Sequence, residues 1–219
     1  LTHPRTDTHP VRGFSHGYNA RMIRRAKITD VPAMGRIIND AAEFGLMLPK
    51  STAALYENVR QFHVVEDDDA GSPTHGEVVG VCGLSIIWAN LAEVVSLAVS
   101  PSQRGKGLGK RLVEACLEEA KQLGIKRVMS LTYEQKFFER LGFSVVDRQN
   151  LPLKVWADCV RSPKHDACDE IAMIRVFDDV PEPEGAPATP STAQGARFEV
   201  PVVITTTAVG KDGKPLIGD

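Results

Sequence analysis

Hydrophobic and polar positions along this chain switch repeatedly between a repeat of about 3.6 residues and a repeat of about 2, and each switch marks an element. Ile23–Ile28 predicts a short edge strand. Val31, Met34, Ile37, Ile38 and Ala41 then keep helical spacing, with Thr29 or Asp30 as cap, Pro32 in the first turn and Gly45 as the stop. LMLPK predicts a linker, and Ser51 caps a second helix through about Arg60, with Leu55 and Val59 facing inward. Phe62–Glu66 predicts a strand, DDDAGSPTHGE a polar turn, and Val78–Trp88 a long strand paired with another at 94–99. From about 107 to 123, Leu108, Leu112, Cys116, Ala120 and Leu123 share one helical face, and Gly124 ends the helix. Arg127–Leu131 predicts a strand and Lys136–Leu141 a short helix closed by Gly142. Phe143–Val146 and Glu170–Phe177 predict the last strands. The order β-α-α-β-β-β-α-β-α-β makes this an α/β chain with a mixed sheet, of α+β type, over residues 22–177.

Outside that span the pattern fails. Residues 1–21 are polar, with three His and two Pro in the first twenty, and lack the apolar core of a signal peptide; they read as a flexible extension. Residues 178–197 hold four Pro among Ala, Thr and Gly, with little that could pack, and predict a linker. Residues 198–219 begin with FEVPVVITTTAV, a strand-like tail that needs a partner edge.

Composition narrows the class without naming the chemistry. With 42% hydrophobic and 25% charged residues, 219 residues suffice for one cored domain plus tails. A net charge of −2 gives no electrostatic reason to expect nucleic acid or an anionic membrane as partner. No apolar run reaches the roughly eighteen residues that a membrane span needs. Cys82 lies in a buried-looking strand and Cys116 in a helix, which suits a reducing cytoplasm better than a disulfide framework.

The chemistry concentrates in residues 93–111, EVVSLAVSPSQRGKGLGKR, where a β-branched strand runs through a glycine-rich turn into a helix. Gly105, Gly107 and Gly109 let the backbone curl so that several N–H groups converge. Arg104, Lys106 and the positive end of the helix add charge, so the turn predicts an anion site. The nucleoside-triphosphate loop does not fit, because Gly109-Lys110 is followed by Arg111 and position 104 is not glycine. The dinucleotide fingerprint does not fit either, because position 110 is lysine. What fits is Arg-x-x-Gly-x-Gly, carried by Arg104, Gly107 and Gly109.

That hexapeptide resembles the acetyl-CoA pyrophosphate loop of the GNAT superfamily of N-acetyltransferases. The element order over 22–177 and the stretch KFFERLGF at 136–143 resemble the same superfamily. The resemblance implies a splayed sheet with acetyl-CoA held where the strands at 93–99 and 127–131 part. It implies that backbone N–H groups of Leu97, Ala98 and Val99 hold the pantetheine arm and the oxyanion. Arg104, Gly105, Lys106, Gly107, Leu108 and Gly109 would take the pyrophosphate. Glu93, which opens the strand, sits where the superfamily often places a base for the amine; a solvated strand-end carboxylate is the competing reading. Many members carry a tyrosine where this chain has Phe138. Tyr133, the nearest phenol in sequence, is the candidate acid for the leaving thiolate or else a core cover.

The segments GLMLPKSTAALYENVRQFHVVE, LTYEQKFFERLGF and LPLKVWADC resemble the short stand-alone N-acetylglutamate synthases of arginine biosynthesis. The acceptor that this implies is L-glutamate. Lys50, where that family places a basic residue between the first two helices, and Lys154 are the candidate anchors for its carboxylates. Acceptors of another kind (a different amino acid, a small amine, a protein N-terminus) and a non-catalytic acyl-CoA sensor remain alternatives, and a homodimer is left open. Cys159, His165 and Cys168 give only three ligands of a zinc-like set, so no metal is expected and none is required for direct acetyl transfer.

Overall fold

The computed structural model describes residues 23–147, 151 and 170–185. Within them the chain builds a mixed sheet of strands β1 (Ile23–Arg25), β2 (Phe62–Glu66), β3 (Val78–Trp88), β4 (Leu91–Val99), β5 (Arg127–Thr132), β6 (Ser144–Val145) and β7 (Ile171–Val176). Their order is β1-β2-β3-β4-β5-β7-β6, antiparallel throughout except for the parallel pair β4–β5. Helices α1 (Val31–Glu43) and α2 (Thr52–Glu57) join β1 to β2, α3 (Leu108–Gln122) joins β4 to β5, and α4 (Gln135–Glu139) follows β5. A parallel pair needs a crossover, and α3 supplies it.

The two sheet faces are covered by different helices because alternate residues point to opposite sides. On one face α3 buries Leu108, Leu112, Val113, Cys116, Leu117 and Ala120 against Cys82, Leu84, Ala92, Val94 and Val128. Each large side chain buried there contributes about 1.5–3 kcal/mol. On the other face Val31, Met34, Ile38 and Ala41 of α1 and Leu55 of α2 pack on Phe62, Val64, Val81 and Ala98. Leu123 departs from the predicted helical stripe. It is exposed, because α3 ends at Gln122 and Ile125 folds back to donate its N–H to Ala120.

Capping at α1 also departs from expectation. Asp30 occupies the cap position, yet its carboxylate accepts from Lys27 N at 2.6 Å and from the Arg24 guanidinium at 2.7 and 3.0 Å. Arg24 also pairs with Glu66, so this buried acid ties β1 to the start of α1. Ser51 does cap α2, accepting from Ala54 N at 3.2 Å. After β7 the chain stays on the domain: Val180 is buried, Lys121 pairs with Asp179 at 2.6 Å, and Arg127 pairs with Glu182. The expected extension over residues 1–21 lies outside the described residues, as do 186–197 of the expected linker and the tail at 198–219.

Candidate active site

β4 and β5 pair only at Leu91–Arg127, Ala92–Val128 and Glu93–Met129. Yet β4 continues to Val99 and β5 to Thr132. Beyond Glu93 the two strands therefore part, and a wedge opens between them. The parting coincides with a bulge in β4. Val81 faces Ala98 while Gly83 faces Val95, so Ser96 and Leu97 together stand against Cys82. Ser96 has a φ of 53°, alone among the described non-glycine residues in being left-handed. That conformation costs an L-residue roughly 1–2 kcal/mol, and such outliers cluster where a backbone is bent for use. The bulge re-aims β4 just before Leu97, Ala98 and Val99.

The wedge ends in the glycine-rich turn. A 3-10 turn at Pro101–Gln103 leads into it, and Gly105 and Gly107 take φ of 76° and 77°. Arg104 before them is extended, and the two left-handed glycines curl the turn, a backbone form that gathers N–H groups on one concave side. Gly107 is also the N-cap of α3 and provides no side chain to occupy the first N–H groups of that helix, so they remain directed at the turn. Gly109 differs from its neighbours: it is the second residue of α3, and a Cβ there would lie 3.8 Å from the Phe137 ring. Exposed Arg104 donates Nε–H to Val99 O at 3.2 Å, pinning the turn to the end of β4. The Lys106 ammonium donates to Gln103 Oε1 at 2.7 Å. Leu108 is buried beneath the turn.

Glu93 is the last residue of the β4–β5 pairing and so stands at the apex of the wedge, half-buried. Alternation puts it on the face opposite Ala92 and Val94, which pack against α3. Its face is the one that α1 and α2 cover further along the sheet. Tyr133 follows β5 directly and is exposed, so it and the glycine turn stand at the open ends of the parted strands, while Glu93 stands at their closed end. Lys50 lies in the loop between α1 and α2. Asn39 clamps its backbone, donating Nδ2–H to Lys50 O at 3.1 Å and accepting Lys50 N–H at 2.9 Å. Lys154, Cys159, His165 and Cys168 lie outside the described residues.

Phe138, at the position of the tyrosine in many GNAT members, is core. It is 3% exposed, between Phe137 and Phe143 with ring centroids 5.1 Å away and planes near perpendicular. Cys116 is fully buried, 3.6 Å from Cys82 Sγ and 3.7 Å from His63 Nδ1. The Cys82 hydrogen bond, with help from His63, draws the Cys116 thiol below the ordinary thiol range, while that same contact and burial push Cys82 up. Sequence periodicity placed Cys116 on the core face of its helix but gave no sign of His63, which reaches it from β2. Among the described residues no group of three or more His, Cys, Asp or Glu could hold a metal ion, and no helix is long and apolar enough to cross a membrane.

This geometry has counterparts in known proteins. Residues 36–143 match the Acetyltransferase (GNAT) family. The chain is 36% identical to an uncharacterized N-acetyltransferase of Chlorobaculum tepidum over 71% of this chain and 96% of that protein. It is 35% identical to an amino-acid acetyltransferase of Mycobacterium tuberculosis over 64% of this chain and 78% of that protein. Among solved structures, it is similar to N-acetylglutamate synthase from Neisseria gonorrhoeae complexed with coenzyme A and N-acetyl-glutamate. That similarity has a TM-score of 0.62 at 25% identity, covering 71% of this chain and 34% of the other. Parted central strands, an Arg-x-x-Gly-x-Gly turn at the mouth of α3 and a 36% identical N-acetyltransferase matched over 96% of its length have one reading: the chain belongs to the GNAT family of acetyltransferases.

Proposed function

We propose that this enzyme acetylates the α-amine of L-glutamate with acetyl-CoA, the first step of arginine biosynthesis, by direct transfer in the cytoplasm. The observation that carries the reading is the placement of one carboxylate, Glu93, at the apex of a wedge whose far end is a left-handed glycine turn at the mouth of α3. An α-amine has a pKa of roughly 8 and is mostly protonated near neutral pH. Glu93 takes its proton, directly or through one water. The freed nitrogen attacks the thioester carbonyl, a C–N bond forms, and the oxyanion is met by backbone N–H groups of the Leu97–Val99 stretch. The C–S bond then breaks. The nitrogen gives up its extra proton to solvent, and the thiolate takes one from Tyr133 or from water; a thiol pKa of about 8.5 makes it a tolerable leaving group.

Residues 104–109 hold the pyrophosphate through N–H groups, the α3 terminus and the charges of Arg104 and Lys106. Lys50 meets a carboxylate of the acceptor, and Lys154 is assigned to the second. Fixing the Lys50 backbone by Asn39 supports this, because an anchor on a clamped loop loses less freedom on binding. The names of the relatives, amino-acid acetyltransferase and N-acetylglutamate synthase, favour an amino acid over a peptide. No metal takes part in this sequence of bonds.

The experiment is a panel of amines (glutamate, aspartate, glutamine, and a peptide N-terminus) with acetyl-CoA, followed by release of free thiol. Thiol release with glutamate at the highest kcat/KM supports the reading. Release only with another amine moves the acceptor, and release with none leaves an acyl-CoA sensor.

A further inference from the structure

The acidic run Asp67-Asp68-Asp69 opens what the sequence predicts as a plain polar turn. Its first member does not behave as a turn residue: Asp67 is 1% exposed. The turn closes over it, with Asp67 N donating to Glu77 O at 2.9 Å and Gly76 N to Asp67 O at 2.7 Å. Its Oδ2 accepts from the hydroxyls of Ser72 and Thr74 and from Gln103 Nε2 at 2.7 Å. Gln103, 3% exposed, is the last residue of the 3-10 turn that launches the glycine loop. Its Oε1 accepts from the Lys106 ammonium at 2.7 Å.

We infer that Asp67 is a positioning residue for acetyl-CoA, acting through the Gln103 amide on Lys106 and the loop that carries it. The inference rests on the cofactor reading of residues 104–109. A carboxylate only accepts and an ammonium only donates, so an amide between them has one orientation, NH2 toward Asp67 and carbonyl toward Lys106. Charges at both ends polarise the amide in the same sense, which strengthens both bonds. Lys106 is exposed, and a free lysine would sample many rotamers around the left-handed glycines at 105 and 107. Held on Gln103, its head stays beside the curled N–H groups, and the ordering that pyrophosphate binding requires is done during folding. Residues 67–77 thus reach the cofactor loop from a different hairpin, without touching the cofactor themselves.

The test compares the wild type with Asp67→Asn, Lys106→Met and the double variant. KM for acetyl-CoA and kcat come from thiol release, and the dissociation constant of coenzyme A from calorimetry. Asp67→Asn should raise KM and the dissociation constant about three- to tenfold with kcat retained at saturating acetyl-CoA. The double variant should be no weaker than Lys106→Met alone, because one removes what the other orients. Should Asp67→Asn fold poorly, Gln103→Met cuts the link while leaving the Asp67–Ser72–Thr74 bonds, and the same rise is expected. An unchanged KM in a folded variant, even with a lowered Tm, overturns the inference by showing a structural role alone. Strictly additive effects overturn it as well. If wild-type protein fails to bind coenzyme A, the cofactor reading falls first and this inference with it; binding without coupling sinks the inference alone.

Discussion

Gly107 and Gly109 belong to one motif, yet alanine should act in opposite directions at the two positions. Gly107 has a φ of 77°, and a Cβ built there meets nothing within 4 Å. Alanine at 107 therefore clashes with no neighbour, and its whole cost is the left-handed backbone, roughly 1–2 kcal/mol for an L-residue. Gly109 lies within α3, and its added Cβ would make ordinary contact with Phe137 at 3.8 Å. Alanine in a helix is favoured over glycine by roughly 0.5–1 kcal/mol. For a domain of this size 1 kcal/mol corresponds to about 2–4 °C. Calorimetry should thus show Gly107→Ala melting about 2–8 °C lower and Gly109→Ala about 1–4 °C higher. If the chain escapes strain by leaving the left-handed region, the converging N–H groups turn away. Thiol-release kinetics should then show KM for acetyl-CoA rising about tenfold in Gly107→Ala. An unchanged or raised Tm in Gly107→Ala would refute the reasoning, since the cap would then need no left-handed residue. A lowered Tm in Gly109→Ala would show that glycine is required there by something other than backbone propensity.

Glu93→Gln keeps shape but cannot accept a proton. It should lower kcat/KM about 10²- to 10⁴-fold and move the pH profile upward, toward the pKa of the free amine; an unmoved profile removes Glu93 as base. Lys50→Gln should raise KM for glutamate roughly tenfold and leave KM for acetyl-CoA alone, and equal effects on both substrates would place Lys50 outside the acceptor site. Asp30→Asn removes one of the two carboxylates that pair with Arg24 and should cost about 1–3 kcal/mol at neutral pH, read as a lower Tm. Because Arg24 holds the folded carboxyl below its ordinary value, that contribution is complete above the unfolded pKa of about 3.9. It fades as pH falls through the lower folded value, so the Tm gap between wild type and Asp30→Asn should close in acid and not in base.

Periodicity delivered most elements close to their final bounds. Phe62–Glu66 and Val78–Trp88 form as strands over those spans, and α3 differs from its expected 107–123 only at the ends. Such elements are legible because alternation and helical spacing are local, and burial on one face leaves the same mark whatever packs against it. The glycine turn was equally legible, since Gly105 and Gly107 are needed by their own backbone angles. The anion site proposed there also rests on its own letters, with Arg104, Lys106 and the mouth of α3 together in a few residues.

What the tertiary structure decided lies between elements. The β4 bulge at Ser96 has no mark in EVVSLAV, because it exists only as a mismatch of register with β3. Asp67 reads as one acid of three in a turn until the β2–β3 hairpin carries it under Gln103. Cys116 reads as a small core residue until β2 brings His63 to it. Val180, in a stretch whose composition predicts a linker, is buried against the core. Glu93 itself is a strand-opening carboxylate in the sequence. It becomes the apex of a wedge only because β5 pairs with β4 as far as Met129 and no further. The sequence by itself determined the elements and the glycine turn, since each depends on neighbours along the chain. The folded sheet alone decided which residues meet at the wedge, since those meetings join β4 to β5 and the 67–77 turn to the loop.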